Sequence, residues 1–151
     1  MNNIPEREYI FASIFALANR MQKLGDKLED YVTIKQWMLL AVLSKSEGQS
    51  LTISEAAEII GSSHQNIKKM ALILEKQGFL SLTKHPKDRR AVVVSITDYC
   101  NTYFAEREAK EEAFLQSVFQ GVDSQMMTEL YKGILQLQKN IEQMELQTDE
   151  K

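Results

Sequence analysis

Residues His85 to Thr97, HPKDRRAVVVSIT, set a proline, four consecutive charged side chains and a β-branched run side by side. Lys87, Arg89 and Arg90, with Lys84 just before them and Asp88 among them, form a cationic group suited to anions. A lysine ammonium meets a phosphate oxygen as a point charge, and an arginine fork can grip phosphate or enter a narrow, strongly negative groove. Upstream, SSHQNIKK crowds Ser62, Ser63, His64, Gln65, Asn66, Lys68 and Lys69 together. Asn and Gln each offer a donor and an acceptor at once, which is what an adenine edge asks for in the major groove. Ser and Lys suit phosphates, and His64 could serve either surface. Both groups also have a plainer reading, a solvated turn and a water-facing first turn of helix, so their meaning depends on the elements that carry them.

Those elements can be read from periodicity. Val92 to Thr97 has the β-branched composition of a strand, and FLSLTK (79–84), alternating from Leu80, can pair with it across a loop led by Pro86. Thr52 and Glu55 match a capping box, and Ile53, Ala56, Ala57 and Ile60 give a short helix its buried stripe up to Gly61. Ser63 can cap the next helix, whose core-facing positions are Ile67, Met70, Ala71 and Leu74 and which stops at Gln77 and Gly78. A short helix, a tight turn, a second helix and a charged hairpin in unbroken order make a winged helix-turn-helix. The polar set of the second helix then lies where DNA would be.

Net charge is −3 over 151 residues, which by itself does not suggest a nucleic-acid partner. The charge is unevenly placed. From Ser62 to Thr97 seven basic residues face two acidic ones, a local +5, while the rest carries eleven against nineteen, −8. A hydrophobic share of 44% with 26% charged residues predicts an ordinary folded domain, with disorder expected only at the closing LQTDEK. The opening MNNIPEREY predicts no secretory signal, IFASIFALA and WMLLAVL fall short of a membrane span, and the single Cys100 cannot form an internal disulfide. A cytoplasmic protein without membrane attachment is expected. No nucleophile–base set, metal-ligand spacing or phosphate-binding glycine loop is present, so neither an enzyme nor a metal site or cofactor is expected.

Two long apolar seams flank this centre. Ile10, Ile14, Leu17, Met21, Leu24 and Leu28 alternate steps of four and three on a helix expected over Glu6 to Glu29. Met127, Leu130, Ile134, Leu137, Ile141 and Met144 repeat the pattern near the other end, after a charged helix from Asp98 to Phe119, a stop at Gly121 and a cap at Asp123. Ile34 to Ser46, apolar almost all round, reads as a central buried helix. The seams either close over the core or build a helical dimer interface through residues such as Ile14, Leu17, Leu130, Ile134, Leu137 and Ile141. Their length favours the interface.

LTISEAAEIIGSSHQNIKKMALILEKQGFL followed by DRRAVVVSIT resembles the MarR family of winged-helix transcriptional regulators, and the resemblance extends over nearly the whole chain. It implies a mainly α fold with a small β-hairpin wing: an N-terminal dimerisation helix (1–32), the winged helix-turn-helix (33–97) and C-terminal helices completing the dimerisation region (98–151). It further implies a homodimer binding double-stranded DNA at an inverted repeat, read here as a repressor, often with release by a small-molecule or redox signal, the small molecule expected here being an aromatic or metabolite effector. Carried over by position, Asp88 would orient the wing, Arg90 would be the minor-groove arginine and Arg89 a phosphate neighbour. An effector pocket would involve Phe11, Phe15, Trp37 and Met38, although such a stripe is more often plain core. The chain departs from the family pattern at Leu72 and Ile73, where charged residues are frequent, and at Cys100, where glycine is common. Cys100 reads as an ordinary helix residue rather than a sensor. A winged-helix module that binds protein instead of DNA is the alternative, since fold alone does not fix function.

Overall fold

The computed structural model describes residues 4–28 and 31–149. Among the described residues six α-helices and three short strands follow one another as α1 (Glu6–Leu28), α2 (Ile34–Lys45), β1 (Ser50–Thr52), α3 (Ile53–Ile60), α4 (His64–Lys76), β2 (Leu80–Lys84), β3 (Val92–Ile96), α5 (Asp98–Val118) and α6 (Ser124–Asp149). The fold is therefore mainly helical with a small antiparallel sheet, as the periodicity predicts. The expected α1 boundary at Glu29 lies outside the described residues. The chain up to Ala105 forms one compact unit and the chain from Glu106 a second.

In the first unit, local chemistry sets where each helix begins. Thr52 Oγ1 accepts the Glu55 N–H at 3.1 Å while Glu55 Oε2 accepts the Thr52 N–H at 2.7 Å, the reciprocal capping box of α3. The bonds from Thr52 hold the Glu55 carboxyl below the usual carboxylate range, so this cap is fully formed above that range and lost as pH falls through the lowered value. The helix ends at Gly61, whose φ of +72° suits glycine and lets its N–H reach the Ala57 and Glu58 carbonyls. A second capping box, Thr33 with Gln36, opens α2. It has the same spacing, with glutamine in the place of glutamate.

The core is continuous. Leu39, Leu40 and Leu43 of α2, Ile53, Ala56 and Ala57 of α3, and Ile67, Ala71 and Leu74 of α4 are buried together with Phe79, Leu80, Val94 and Cys100. These are the stripes expected of α3 and α4, with Ile60 and Met70 half-buried at their margins. α2 differs from expectation: it buries one face, while Trp37 stays half-buried and Met38 exposed, because only one side of it meets α3, α4 and the sheet.

β2 pairs antiparallel with β3 in the register Leu80 with Ile96 through Lys84 with Val92, which makes the expected hairpin. A third strand, β1, pairs with the other edge of β3, Ser50 with Ser95 through Thr52 with Val93. Three residues are too few to display alternation, so periodicity gives no strand there. The hairpin's exit is tied down by Thr97, whose hydroxyl donates to the Gly78 carbonyl at 2.6 Å and accepts the Cys100 N–H at 3.2 Å. Phe79 then stacks on Tyr99 and packs against Tyr103, fixing the first turns of α5 to the base of the wing.

In the second unit, Gly121 turns the chain at φ +83°, and Asp123 Oδ1 accepts the Met126 N–H at 2.8 Å, the expected cap of α6. α6 continues helical through Leu146 to Asp149, which corrects the expectation of disorder for LQTDEK; Glu150 and Lys151 lie outside the described residues. Helix propensity of the run MELQ carries the last turns past the end of the apolar seam. Leu130, Ile134, Leu137 and Ile141 are all exposed, as are Ile14 and Leu17 on α1.

One position on α1 is closed to side chains. Gly25 is buried, and a Cβ there would stand 2.7 Å from Ile34 Cδ1 and 3.0 Å from Ile34 Cβ. Gly25→Ala gains about 1 kcal/mol of helix propensity but forces a shift costing about 1–3 kcal/mol, so urea unfolding should show a net loss of stability. Combining it with Ile34→Ala should relieve most of that loss. A Gly25→Ala protein as stable as the parent would contradict this packing.

Candidate nucleic-acid interface

α4 is placed by two opposing demands on its sides. Ile67, Ala71 and Leu74 are fully buried, which rotates the remaining positions of its first two turns outward. Ser63 Oγ accepts the Asn66 N–H at 3.2 Å and so uses its hydroxyl to begin the helix. Ser63, His64, Gln65, Asn66, Lys68 and Lys69 are exposed and Ser62 is half-buried, so the structure gathers all seven residues in or beside the first two turns. Leu72 and Ile73, each 42% exposed, lie farther along the same helix and give its outer side an apolar rather than a cationic stretch.

The far end of α4 is joined to the wing by a hydrogen bond that sequence reasoning missed. Glu75 Oε2 accepts the Leu82 N–H of β2 at 2.9 Å, satisfying a donor on the open edge of that strand. The adjacent Gln77 amide donates to the Tyr31 carbonyl at 3.0 Å, tying the same helix end to the chain before α2. Neither carried a sequence signal, since both depend on tertiary placement of an acceptor.

The wing loop is held by its own short hydrogen bonds. The His85 N–H donates to the Ala91 carbonyl at 3.0 Å and the Ala91 N–H to the Asp88 carbonyl at 3.1 Å. His85 Nδ1 accepts two backbone donors, the N–H of Lys87 at 3.1 Å and that of Asp88 at 3.0 Å. Asp88 Oδ1 in turn accepts the Arg90 N–H at 3.0 Å. Lys84, Lys87, Asp88, Arg89 and Arg90 are all exposed. Among the described residues none of Lys68, Lys69, Lys84, Lys87, Arg89 and Arg90 takes part in an ion pair. The arrangement is a polar helix start and a cationic loop presented to solvent by one packed unit, which suits phosphates and base edges.

The other expected residues are placed differently. Phe11 and Phe15 pack edge to face with ring centroids 5.3 Å apart, and both stay largely exposed on α1. Trp37 and Met38 lie on the less buried side of α2. Among the described residues no group of three or more His, Cys, Asp or Glu side chains is placed to hold a metal ion. No described helix is long and apolar enough to cross a membrane.

A family model described as MarR family matches residues 32–91, the stretch from the end of the α1–α2 connection through the wing loop. The HTH-type transcriptional regulator PapX of Escherichia coli is 26% identical over 98 residues, a match covering 62% of this chain and 58% of PapX. The chain thus spans somewhat over half the length of that relative. Among solved structures, the MarR family regulator Sco3205 of Streptomyces coelicolor, in complex with DNA, aligns with a TM-score of 0.78 at 18% identity, over 93% of this chain and 90% of that one. Bordetella bronchiseptica BpsR, whose DNA binding is regulated by 6-hydroxynicotinic acid, aligns with a TM-score of 0.75 at 15% identity, over 91% and 98%. At these identities the structural likeness establishes a shared fold.

Cys100 stands outside this surface. It is fully buried in the first turn of α5, and burial pushes its thiol up to about 11. At pH 8 only about one thiol in a thousand would then be ionised, and the thiolate is the reactive form. Iodoacetamide at that pH should leave the native protein unlabelled and modify it readily in denaturant. Native labelling at the speed of a free thiol would contradict the assigned burial.

Proposed function

We propose that this chain, a member of the MarR family of winged helix-turn-helix transcriptional regulators, binds double-stranded DNA sequence-specifically as a homodimer and represses transcription by occupying the duplex. The observation that carries this reading is the joint presentation of two unlike surfaces by one core: the amide-rich start of α4 and the unpaired cations of the β2–β3 loop. A helix start bearing Gln65 and Asn66 is suited to major-groove edges, and Arg90 on the wing to the adjacent minor groove, with Lys68, Lys69, Lys84, Lys87 and Arg89 toward phosphates. The Asp88 carboxylate bonded to the Arg90 N–H supports an orienting role for Asp88. Binding, not catalysis, is the function proposed, and it is exercised where chromosomal DNA lies, inside the cell.

The two exposed seams support a homodimer. Rows of Ile, Leu and Met left in water along α1 and α6 are surfaces that a second copy of the chain would bury. Two-fold pairing of recognition helices makes the target an inverted repeat. An aromatic or small metabolite effector would engage Phe11, Phe15, Trp37 and Met38, in keeping with the regulation of BpsR by a small aromatic acid.

Selection from a random duplex pool should enrich a short inverted repeat, and absence of any enrichment would favour a protein-binding module. On the selected duplex, Asn66→Ala should cost on the order of 1–3 kcal/mol with little effect on random DNA and none on the salt slope. Arg90→Ala should weaken binding to both and reduce the salt slope by about one for each phosphate left without its cation. Identical losses and slopes for the two variants would rule out separate reading modes. Leu130→Glu with Ile134→Glu should yield monomers in sedimentation and weaken specific binding, because each half-site then binds unlinked. A parent chain that sediments as a monomer at micromolar concentration would rule out the dimer.

A further inference from the structure

We infer that His85 is a positioning residue for the wing: its imidazole, acting as a neutral hydrogen-bond acceptor, holds the β2–β3 loop in the shape that aims Arg90 at DNA. The inference rests on the DNA-binding reading and adds to it a residue outside the cationic set.

The geometry is a relay of three short steps. His85 Nδ1 lies 3.1 Å from the Lys87 nitrogen and 3.0 Å from the Asp88 nitrogen, and both are backbone donors. An imidazole nitrogen accepts only when it carries no proton, so the ring must hold its hydrogen on Nε2. Fixing the Lys87 and Asp88 amides fixes the peptide from which the Asp88 side chain departs. That carboxylate then accepts the Arg90 N–H at 3.0 Å, and the loop closes through Ala91 to Asp88 and His85 to Ala91. In the first two steps a side chain satisfies nearby backbone donors, as Asx-type turns do, and in the third the closure is backbone to backbone.

The contrast with neighbouring residues sharpens the assignment. Lys87, Arg89 and Arg90 are exposed, and none takes part in an ion pair, so their backbone is ordered by the loop's hydrogen bonds and not by their own side chains. His85 is half-buried at the end of β2, where it meets both the sheet and the loop. A loop carrying this much like charge repels itself, and a fixed acceptor at its base offsets the entropy of holding it in one conformation.

The test compares His85→Ala with His85→Asn, because an asparagine carbonyl can accept the same i+2 and i+3 N–H groups that Nδ1 does. Amide hydrogen exchange in the full chain, with no DNA present, should show the Lys87 and Asp88 amides losing protection in the alanine variant and keeping it in the asparagine variant. On the duplex selected from a random pool, alanine should weaken binding about five- to tenfold and asparagine should restore it to within about twofold. In an Arg90→Ala background the alanine change should cause little further loss, since its effect passes through Arg90. Unchanged amide protection in His85→Ala overturns the inference. So does lost protection with undiminished DNA affinity, or a full additional loss in the Arg90→Ala background. If the parent chain selects no duplex at all, the DNA-binding reading fails, and the aim of the wing at DNA falls with it; the exchange measurement, which needs no DNA, separately reports whether His85 orders the loop.

Discussion

Burial of Ile67, Ala71 and Leu74 on one side of α4 is the constraint from which the rest of the structure follows. Removing these side chains from water sets the rotation of the helix about its axis, and each contributes on the order of 1–3 kcal/mol or less according to its apolar area. With the rotation fixed, Gln65, Asn66, Lys68 and Lys69 have nowhere to point but outward. Polar character and exposure are thus consequences of the apolar stripe as much as of the polar residues themselves. A different register of burial would turn the same amides into the core, where their desolvation would not be offset.

Recognition helix and wing are then locked into one body. The Glu75 carboxylate reaches the edge of β2, Thr97 bridges the start of α5 to the Gly78 carbonyl, and Phe79 seats itself between Tyr99 and Tyr103. These contacts join α4, the base of the hairpin and the start of α5, and none of them reaches the hairpin tip. That tip is where local hydrogen bonds from His85 and Asp88 take over from long-range packing. The gradient from a dry core to a polar, self-ordered loop suits a surface for a stiff, charged duplex, with amides placed by packing and cations placed by local hydrogen bonds.

How far the sequence could be read follows from the range of each interaction. Periodic stripes and caps involve residues three or four apart, and Thr52 with Glu55, Ser63, Gly61, Gly78 and Asp123 could all be recognised in advance. β1 was hidden because three residues contain no period, and it exists only through its pairing with β3. The one-sided burial of α2 was hidden for a related reason: an apolar run reports attraction to a core, not which of its faces will find one. LQTDEK looked like a polar tail, yet its first four residues extend α6, since backbone hydrogen bonding propagates cheaply from a helix already formed. Among the interface residues, charge and amide content singled out the DNA-facing candidates, whereas Glu75, Gln77, Thr97 and His85, which position them, are ordinary polar residues until the chain is folded.

On the DNA-binding proposal, α4's first turns and the β2–β3 loop act as a single nucleic-acid surface. Amide chemical-shift mapping of the isotope-labelled chain with a short mixed-sequence duplex at low salt tests it directly, since non-specific binding engages the same cationic face. Shifts should concentrate at residues 62–69 and 84–91, with the α3 stripe and the core of α2 largely silent. Shifts centred on the exposed seams of α1 or α6, or a spectrum that the duplex leaves unchanged, would contradict it.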